Sequence, residues 1–392
     1  MEQPSRLELV DSLRGYALFG LFLVHMVELF ELYWAHPTPS AVHDWVFGLF
    51  AGKAFALFAL CFGLSFFIIM DRAARRGVDF SARFAWRLAI LFVFGLLHGL
   101  VYRGDILQVL APMGLLLLLF HRIRSRSILL WIAALFFAEI PLLIHAWCAV
   151  AGAAWARQLP HFFVDPSLKI LASGSLGEAF RANLIDGAIS KWWFYIETGR
   201  LTEIAGLFVI GLLLGRSGFF AEPDRFVRQR RIVLAVAVAS WVALYFIAPV
   251  CIDAATRAGD ASGAVRHNLE WAFESWGALA AMTIQVIVFV ELYQTAAQPV
   301  LKLLAPVGRM TLTLYIGQSL VFVPLYYGFG LGLHARISQA EALAMGVVAF
   351  ALQMLLARLW FRYFLYGPLE WLWRALTNTS FAIPFVRRAE AS

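Results

Sequence analysis

The stretch that decides the fold is residues 10–34, which read VDSLRGYALFGLFLVHMVELFELYW. This stretch is apolar and long enough to cross a bilayer as a helix. It nevertheless contains four ionisable residues, Asp11, Arg14, His25 and Glu28. At about 100° per residue the first three share one helix face, and the last lies on the adjoining face. Because ionisable groups inside a span are costly, this polar stripe predicts a functional site that faces the interior of a bundle.

Apolar runs recur along the whole chain. Of its 392 residues, 61% are hydrophobic and 15% are charged. The runs are continuous, whereas the strands of a membrane barrel alternate apolar and polar residues, so the spans are predicted to be helices. We therefore predict an all-α fold, a polytopic membrane bundle of about ten transmembrane helices. The expected spans are 10–33, 45–70, 84–102, 105–121, 127–153, 192–215, 231–251, 271–296, 310–333 and 341–364.

The arginines between the spans predict the topology. Residues 71–87 contain five arginines, residues 121–126 contain three and residues 216–231 contain five, whereas residues 34–44 contain none. Cytoplasmic loops carry such an excess of basic residues. We therefore expect both termini in the cytoplasm and residues 154–190 as an extracytoplasmic excursion.

The same basic loops account for the formal net charge of +7. We therefore expect membrane lipids as partners and no nucleic acid. We assign residues 1–366 to a transmembrane domain. Residues 367–392 are expected to form a cytoplasmic interfacial tail, because their aromatic residues recur at near-helical spacing. The sequence leaves a homodimer open.

Further polar residues fall near the depth of His25 when each span rises by about 1.5 Å per residue. A shared polar chamber that opens outward is the simplest explanation for this common level. We assign catalysis to His25, Glu28 and His98. We assign substrate binding to Asp11, Arg14, Lys53, Asp105, Arg200 and Glu203.

Several of these residues also have a purely structural explanation. A lone intramembrane histidine such as His98 can serve as a hydrogen bond between helices. Lys53 can extend to the interface or pair with Glu203. Asp105 lies where a turn residue or a helix N-cap is expected. The histidines show no metal-binding spacing, so we expect no metal site.

Three blocks of sequence resemble the YeiB-like family of bacterial membrane proteins, which carries domain of unknown function 418, and the resemblance implies a location in a bacterial cytoplasmic (inner) membrane. That family is similar to the wider group of transmembrane acyltransferases, which includes the acyltransferase-3 proteins and heparan-alpha-glucosaminide N-acetyltransferase. The blocks are VDSLRGYALFGLFLVH at 10–25, GKAFALFALCFGLSF at 52–66 with GLLHGLVYRGDIL at 95–107, and GRMTLTLYIGQS at 308–319 with YGPLEWLWRAL at 366–376.

The resemblance implies an activity. Arg14, ten further residues and His25 resemble the Arg-x10-His signature of the acyltransferase-3 proteins, in which the histidine is catalytic. The YeiB-like pattern more often has Asn at this place. The implied enzyme moves an acyl group such as acetyl from cytoplasmic acyl-CoA (acetyl-CoA) to an extracytoplasmic glycan or small-molecule acceptor, with His25 as catalyst. The alternative is a secondary transporter or exporter of a small anionic or lipid-linked solute that uses the same buried polar groups.

Overall fold

The computed structural model describes residues 7–257, 259–260 and 262–387. The helices α1 to α10 are Glu8–Val27, Ala41–Phe50, Lys53–Ala74, Ser81–Val101, Leu107–Met113, Leu116–Arg122, Arg126–Phe137, Ile140–Val150, Ser167–Ser173 and Leu176–Ala182. The helices α11 to α19 are Ala188–Glu197, Arg200–Ser217, Val227–Thr256, Ala264–Tyr293, Gln298–Leu301, Ala305–Arg309, Thr311–Tyr326, Gln339–Tyr363 and Pro368–Thr377. Short 3₁₀ or π turns connect several of them, and the described ranges contain no β-strand.

The long helices confirm an all-helical, multi-pass membrane protein. Within the described ranges, seven helices are long and apolar enough to cross a membrane, or up to nine if each of two bent helix pairs is one span. The expected span at 105–121 corresponds to α5 and α6, a shorter apolar segment from Leu107 to Arg122. Pro112 lies inside α5, where it lacks a backbone N–H and so weakens a continuous helix. The count therefore stops short of the ten spans expected from the sequence.

Helix α1 lies inside the bundle, as its polar stripe predicts. It packs against α3, α16 and α18, with further contacts to α2, α14 and α17. Helix α16 and the preceding residue Leu304 lie very close to α1. A Cβ at Gly15 would clash with the carbonyl of Leu304, and a Cβ at Gly308 would clash with the carbonyl of Asp11. The stripe is therefore enclosed by protein and does not face lipid.

The end of α1 is an unusual turn. The helix stops at Val27, earlier than the expected end at residue 33. The next residues, Leu29, Phe30 and Glu31, all have positive φ, between 51° and 77°. A non-glycine residue in this left-handed region costs on the order of 1–3 kcal/mol and persists only when the surrounding structure holds it. Such strain is often found at functional sites, and this turn directly follows His25.

The segments expected to lie at the membrane surface contain short helices. Residues 154–190 include α9 and α10, and α10 also begins a bent pair of helices, Leu176–Glu197 and Arg200–Ser217, that could form one span. The tail forms α19 and folds back, so that Leu365 N–H donates to the carbonyl of Phe385 at 2.9 Å. The first six and last five residues of the chain, and with them the predicted location of the termini, lie outside the described residues.

Candidate functional site

A cavity of about 590 Å³ runs along α1 from Leu7 to Leu21. Its walls come from α3, α4 and α5 on one side and from the α16–α17 junction and α19 on the other. Among the residues of the polar stripe, Asp11 and Arg14 line this cavity. The cavity therefore follows the helix that the sequence singles out.

The cavity lining contains a cationic set and an apolar set of side chains. The apolar set includes Phe58, Phe62, Leu88, Leu91, Leu107 and Leu110. Two acidic side chains, Asp11 and Glu370, also line the wall. Guanidinium groups can bind phosphate or carboxylate groups in a bidentate manner, so a lining with both sets can accept a ligand with anionic and apolar parts. The cationic lining consists of Arg14, Arg72, Arg76, Arg87, Arg309 and Arg374.

Arg14 is oriented by neighbours on two helices. Its Nη1 lies 3.4 Å from Oδ1 of Asp11, one turn earlier on α1. Its Nη2 donates to the hydroxyl of Ser65 on α3, which in turn donates to the carbonyl of Cys61. The Arg14 side chain is 25% exposed. It is therefore held in place and still accessible from the cavity.

The C-terminal helix α19 closes one side of the cavity. Oε1 of Glu370 accepts from the backbone N–H of Leu312 at 2.7 Å, and Oε2 accepts from the Thr313 hydroxyl at 2.6 Å. Burial raises the pKa of the Glu370 carboxyl above its ordinary value, and these hydrogen bonds act in the opposite direction. The Trp373 indole donates to the carbonyl of Arg87 at 2.9 Å, and the Arg87 guanidinium lies 3.4 Å from the indole ring centre. The predicted interfacial tail is thus also a wall of the site.

His25 lies beyond Leu21, the last residue of α1 that lines the cavity. Its Nδ1 is 2.9 Å from the hydroxyl of Tyr102 and 3.8 Å from Oε2 of Glu28. Oε1 of Glu28 accepts from the indole of Trp34 at 2.6 Å. The Tyr102 hydroxyl can donate to Nδ1 or accept from it, and in the tautomer in which Nδ1 donates, the lone pair of Nε2 is available as a base. Glu28 therefore lies near the ring, as the sequence predicts.

The cavity stops just short of His25. Leu21, its last lining residue on α1, precedes His25 by one helical turn, a rise of about 6 Å. Tyr102 is fully buried beside His25, and its ring centroid lies 5.2 Å from that of the histidine. Tyr102 was not singled out by the sequence, because a tyrosine near a span end resembles an ordinary interfacial residue.

Arg103 forms ion pairs that connect the strained turn at residues 29–31 to the 154–190 segment. Its guanidinium pairs with Glu31 and with Asp165. Its Nη1 also lies 2.9 Å from the hydroxyl of Ser167. These contacts hold the left-handed turn after His25 against the start of α9, and they explain how the strained backbone is maintained.

His98 forms a buried pair with Asp105. Nδ1 of His98 lies 2.7 Å from Oδ1 of Asp105, and both side chains are 0% exposed. The other oxygen of Asp105 accepts from the backbone N–H of Gln108 at 2.9 Å, beside the first turn of α5. Asp105 thus has the expected capping contact and a histidine partner as well. Nε2 of His98 has no hydrogen-bond partner within the described residues, and His98 does not line the cavity.

Lys53, Arg200 and Glu203 form a separate group. Nη1 of Arg200 lies 2.9 Å from Oε2 of Glu203, whereas Nζ of Lys53 donates to the carbonyl of Phe47 at 3.3 Å. The predicted pairing of Lys53 with Glu203 is thus replaced by an Arg200–Glu203 pair within α12. The expected single chamber is thus divided into separate pairs.

Comparisons with known proteins agree with this architecture. Residues 6–161, which include α1, His98 and Asp105, match the model of the heparan-alpha-glucosaminide N-acetyltransferase catalytic family. Residues 214–380, which include α17 and α19, match the family described as protein of unknown function, DUF418. The helical bundle and the first match define a multi-pass membrane protein of an acetyltransferase-like class. More specifically, the two matches and the similarity to YeiB agree with the resemblance to the YeiB-like family, which is related to those acetyltransferases.

Full-length relatives support the same assignment. The uncharacterized protein YxaH of Bacillus subtilis (strain 168) is 26% identical over 96% of this chain and 95% of its own length. The uncharacterized protein YeiB of Escherichia coli (strain K12) is 26% identical over 94% of this chain and 95% of its own length. An uncharacterized 39.9 kDa protein of Bacillus acidopullulyticus is 22% identical over 98% of both chains. The similarity therefore extends over nearly the whole length of each protein.

Proposed function

We propose that this chain is a transmembrane acyltransferase. It takes an acyl group, in the simplest case acetyl, from cytoplasmic acyl-CoA and transfers it to an extracytoplasmic acceptor, a glycan or another hydroxyl compound. The observation that carries this proposal is the arginine-lined cavity, which follows α1 from Arg14 and ends one turn before His25. This orientation rests on the arginine-rich loops, which favour a cytoplasmic location for the Arg14 end.

The dimensions of α1 suit acyl-CoA. Arg14 and His25 are separated by about 16 Å along the helix axis at 1.5 Å per residue. A ligand bound at both ends must therefore carry its phosphates and its reactive group on opposite ends of an extended, largely uncharged arm. Coenzyme A has this arrangement, with its nucleotide phosphates at one end and the pantetheine thioester at the other. Its phosphates would lie among the arginines and its thioester would point toward His25.

The residues around His25 support its role as a general base. Nε2 would accept the proton of the acceptor hydroxyl as that oxygen attacks the thioester carbonyl carbon. The carbon–sulfur bond then breaks, and the thiolate of CoA takes the proton back from the imidazolium, so that the reaction neither gains nor loses protons. Glu28, 3.8 Å from Nδ1, would stabilise the positive charge on the ring in the interval. Tyr102 would hold the ring orientation through its hydroxyl.

The thioester needs a small rearrangement to reach His25. The cavity ends at Leu21, and the ring of Tyr102 packs against His25 without lining the cavity. Rotation of this side chain would join the two spaces. We therefore assign Tyr102 a positioning role in which it separates donor and acceptor until both are bound.

Acetyl-CoA is the probe for a test of this function. Its binding to the purified protein is measured by calorimetry, and transfer is measured as free thiol released in membranes that contain the native acceptor. His25→Ala should lower transfer by about 10²–10⁴-fold while leaving binding nearly unchanged, because a general base acts on the chemical step. His98→Asn is the matched control, since its amide can still donate to Asp105.

The outcomes separate the candidates. If His25→Ala transfers at the parent rate and His98→Asn does not, His98 is the base. If both variants transfer normally, neither histidine is the catalyst and the mechanism is wrong. If the parent does not bind acetyl-CoA at all, secondary transport becomes the better explanation, which two interrupted helices also favour (Ala138–Glu139 and Thr198–Gly199).

A further inference from the structure

Two membrane helices are interrupted next to each other. Glu139 separates α7 from α8 and has a φ of 51°, and Gly199 separates α11 from α12 and has a φ of 73°. A Cβ on Gly199 would overlap Oε2 of Glu139, so the two interruptions are in direct contact. The indole of Trp276 donates at 2.7 Å to the carbonyl of Phe137, which the interruption frees. Interrupted helices with polar groups at the break commonly bind ions in membrane proteins.

Glu139 is fully buried at this junction, with 0% of its surface exposed. Oε1 accepts from the hydroxyl of Ser275 on α14 at 2.8 Å. Oε2 lies 3.0 Å from the hydroxyl of Thr202 on α12. Neither neighbour is charged, and no cation among the described residues lies within hydrogen-bond distance of Glu139. Its surroundings are those of a neutral polar group.

A count of hydrogen atoms indicates the state of this carboxyl. The Thr202 hydroxyl has one hydrogen but two oxygen neighbours, the carbonyl of Gly199 at 2.6 Å and Oε2 of Glu139 at 3.0 Å. A carbonyl can only accept, and it is the nearer of the two, so the hydroxyl donates to Gly199. The contact between Thr202 and Oε2 then becomes a hydrogen bond only if Oε2 carries a hydrogen. The hydroxyl of Ser275 completes this arrangement by donating to Oε1.

The charges around Glu139 balance without it. Helix α12 contributes Arg200 and Glu203, which are bonded to each other. Lys53 on α3 and the exposed Glu274 on α14 both interact electrostatically with Arg200. Two cations thus face two carboxylates, and an ionised Glu139 would add an uncompensated charge in the bundle interior. A buried acid in such surroundings takes up a proton instead.

We propose that Glu139 is a neutral carboxylic acid at neutral pH and that the contact between the two interrupted helices is a proton-binding site. The acyl transfer described above has no net proton exchange, so this site goes beyond that reaction. Binding a proton joins Oε2 to Thr202 at the start of α12, and losing it leaves a carboxylate against the hydroxyl oxygen of Thr202, whose hydrogen is donated to Gly199. Proton release is therefore linked to separation of α12 from the α7–α8 junction.

The infrared spectrum of the purified full-length protein tests this proposal. Glu139→Gln is nearly isosteric, since its amide can accept from Ser275 and donate to Thr202, so the variant should fold. The parent-minus-variant spectrum at neutral pH should contain the carbonyl stretch of a protonated carboxylic acid. Glu222→Gln, at a glutamate whose side chain is 66% exposed, is the control and should leave that band in place. Carboxylate bands alone in the Glu139 difference spectrum would overturn the proposal.

A second variant keeps the test decisive if Glu139→Gln does not fold. Ser275→Ala removes the donor to Oε1, so the carboxylic-acid stretch should move to higher frequency. A band that does not respond to this change belongs to another acid, and the proposal is then wrong. Thermal unfolding of the parent in sodium chloride and in choline chloride gives a further check. Stabilisation by sodium alone would mean that the oxygens at this junction bind a metal cation and not a proton.

Discussion

Replacing Arg14 by Ala removes one cationic side chain from the cavity and leaves five other arginines in its lining. If Arg14 binds a phosphate of acyl-CoA, the variant loses one charge-assisted hydrogen bond, worth about 1.5–3 kcal/mol. The dissociation constant for acetyl-CoA should then rise about 10- to 150-fold. The rate at saturating donor should change little, because Arg14 is about 16 Å from His25 along α1. Arg14→Lys should fall between the parent and the alanine variant, since an ammonium cannot bind in a bidentate manner.

The assay is calorimetric titration of the purified protein with acetyl-CoA, in parallel with thermal unfolding. Unfolding must be monitored because Arg14 also contacts Asp11 and Ser65. Arg75→Ala is the matched control, because Arg75 follows α3 near Arg72, is 78% exposed and does not line the cavity. Its removal lowers the net charge equally without altering the lining.

Two results would refute the reasoning. Equal weakening by Arg14→Ala and Arg75→Ala would mean that the ligand responds only to the overall positive charge. Unchanged binding in a folded Arg14→Ala protein would mean that phosphates do not reach this part of the cavity. A rise in salt distinguishes the first case further, because attraction between exposed charges is screened within about 10 Å at 0.1 M ionic strength.

The remaining predictions concern topology and the buried ion pair. Ile170→Cys in an otherwise cysteine-free variant should react with an impermeant thiol reagent from outside intact cells, and labelling only after lysis would reverse the predicted orientation. Glu203→Gln should reduce thermal stability by about 3–5 kcal/mol at most, because Arg200 then stays buried without the carboxylate it bonds to. Adding Arg200→Met should recover part of that loss, and strictly additive losses would contradict the pairing.

The membrane character and the burial of the polar stripe on α1 could be predicted from the sequence. Both follow from large free energies, the transfer of apolar side chains into lipid and the exclusion of charge from it. The ends of helices were less predictable where no glycine or proline marks the break. Leu29, Phe30 and Glu31 give no local signal for a left-handed turn, because Arg103 maintains it from a distant part of the chain.

The role of the C-terminal helix α19 also could not be predicted from its local sequence pattern. Residues 368–377 are amphipathic whether they lie on lipid or on protein. What attaches them is Glu370, which accepts hydrogen bonds from the first turn of α17, a contact across 58 residues of sequence. The same amphipathic pattern is therefore compatible with a helix on lipid and with a helix that forms the wall of a cavity. Only the contact with α17 distinguishes these two locations.

Glu139 was the buried acid that the sequence analysis did not assign. A signal was present, since a lone glutamate precedes Ile-Pro inside an apolar run, and the residue before such a turn is a common place for a helix to break. The depth argument gave weight instead to residues near His25. The depth of Glu139 in its span could be estimated from spacing. Its contact with Gly199 depends on the bend between α11 and α12, which no local pattern predicts.

Depth along a span and direction around it are different quantities, and only the first can be read from spacing. His25, His98, Lys53 and Glu203 were expected at one level and therefore in one chamber. In the folded chain the charged groups among them pair with close neighbours, because an unpaired charge in a low-dielectric interior is costly. For Glu203 that group is Arg200 on the same helix, at 2.9 Å. The chamber is divided for this reason, and the cavity along α1, whose lining contains six arginines and two acidic residues, is a separate space.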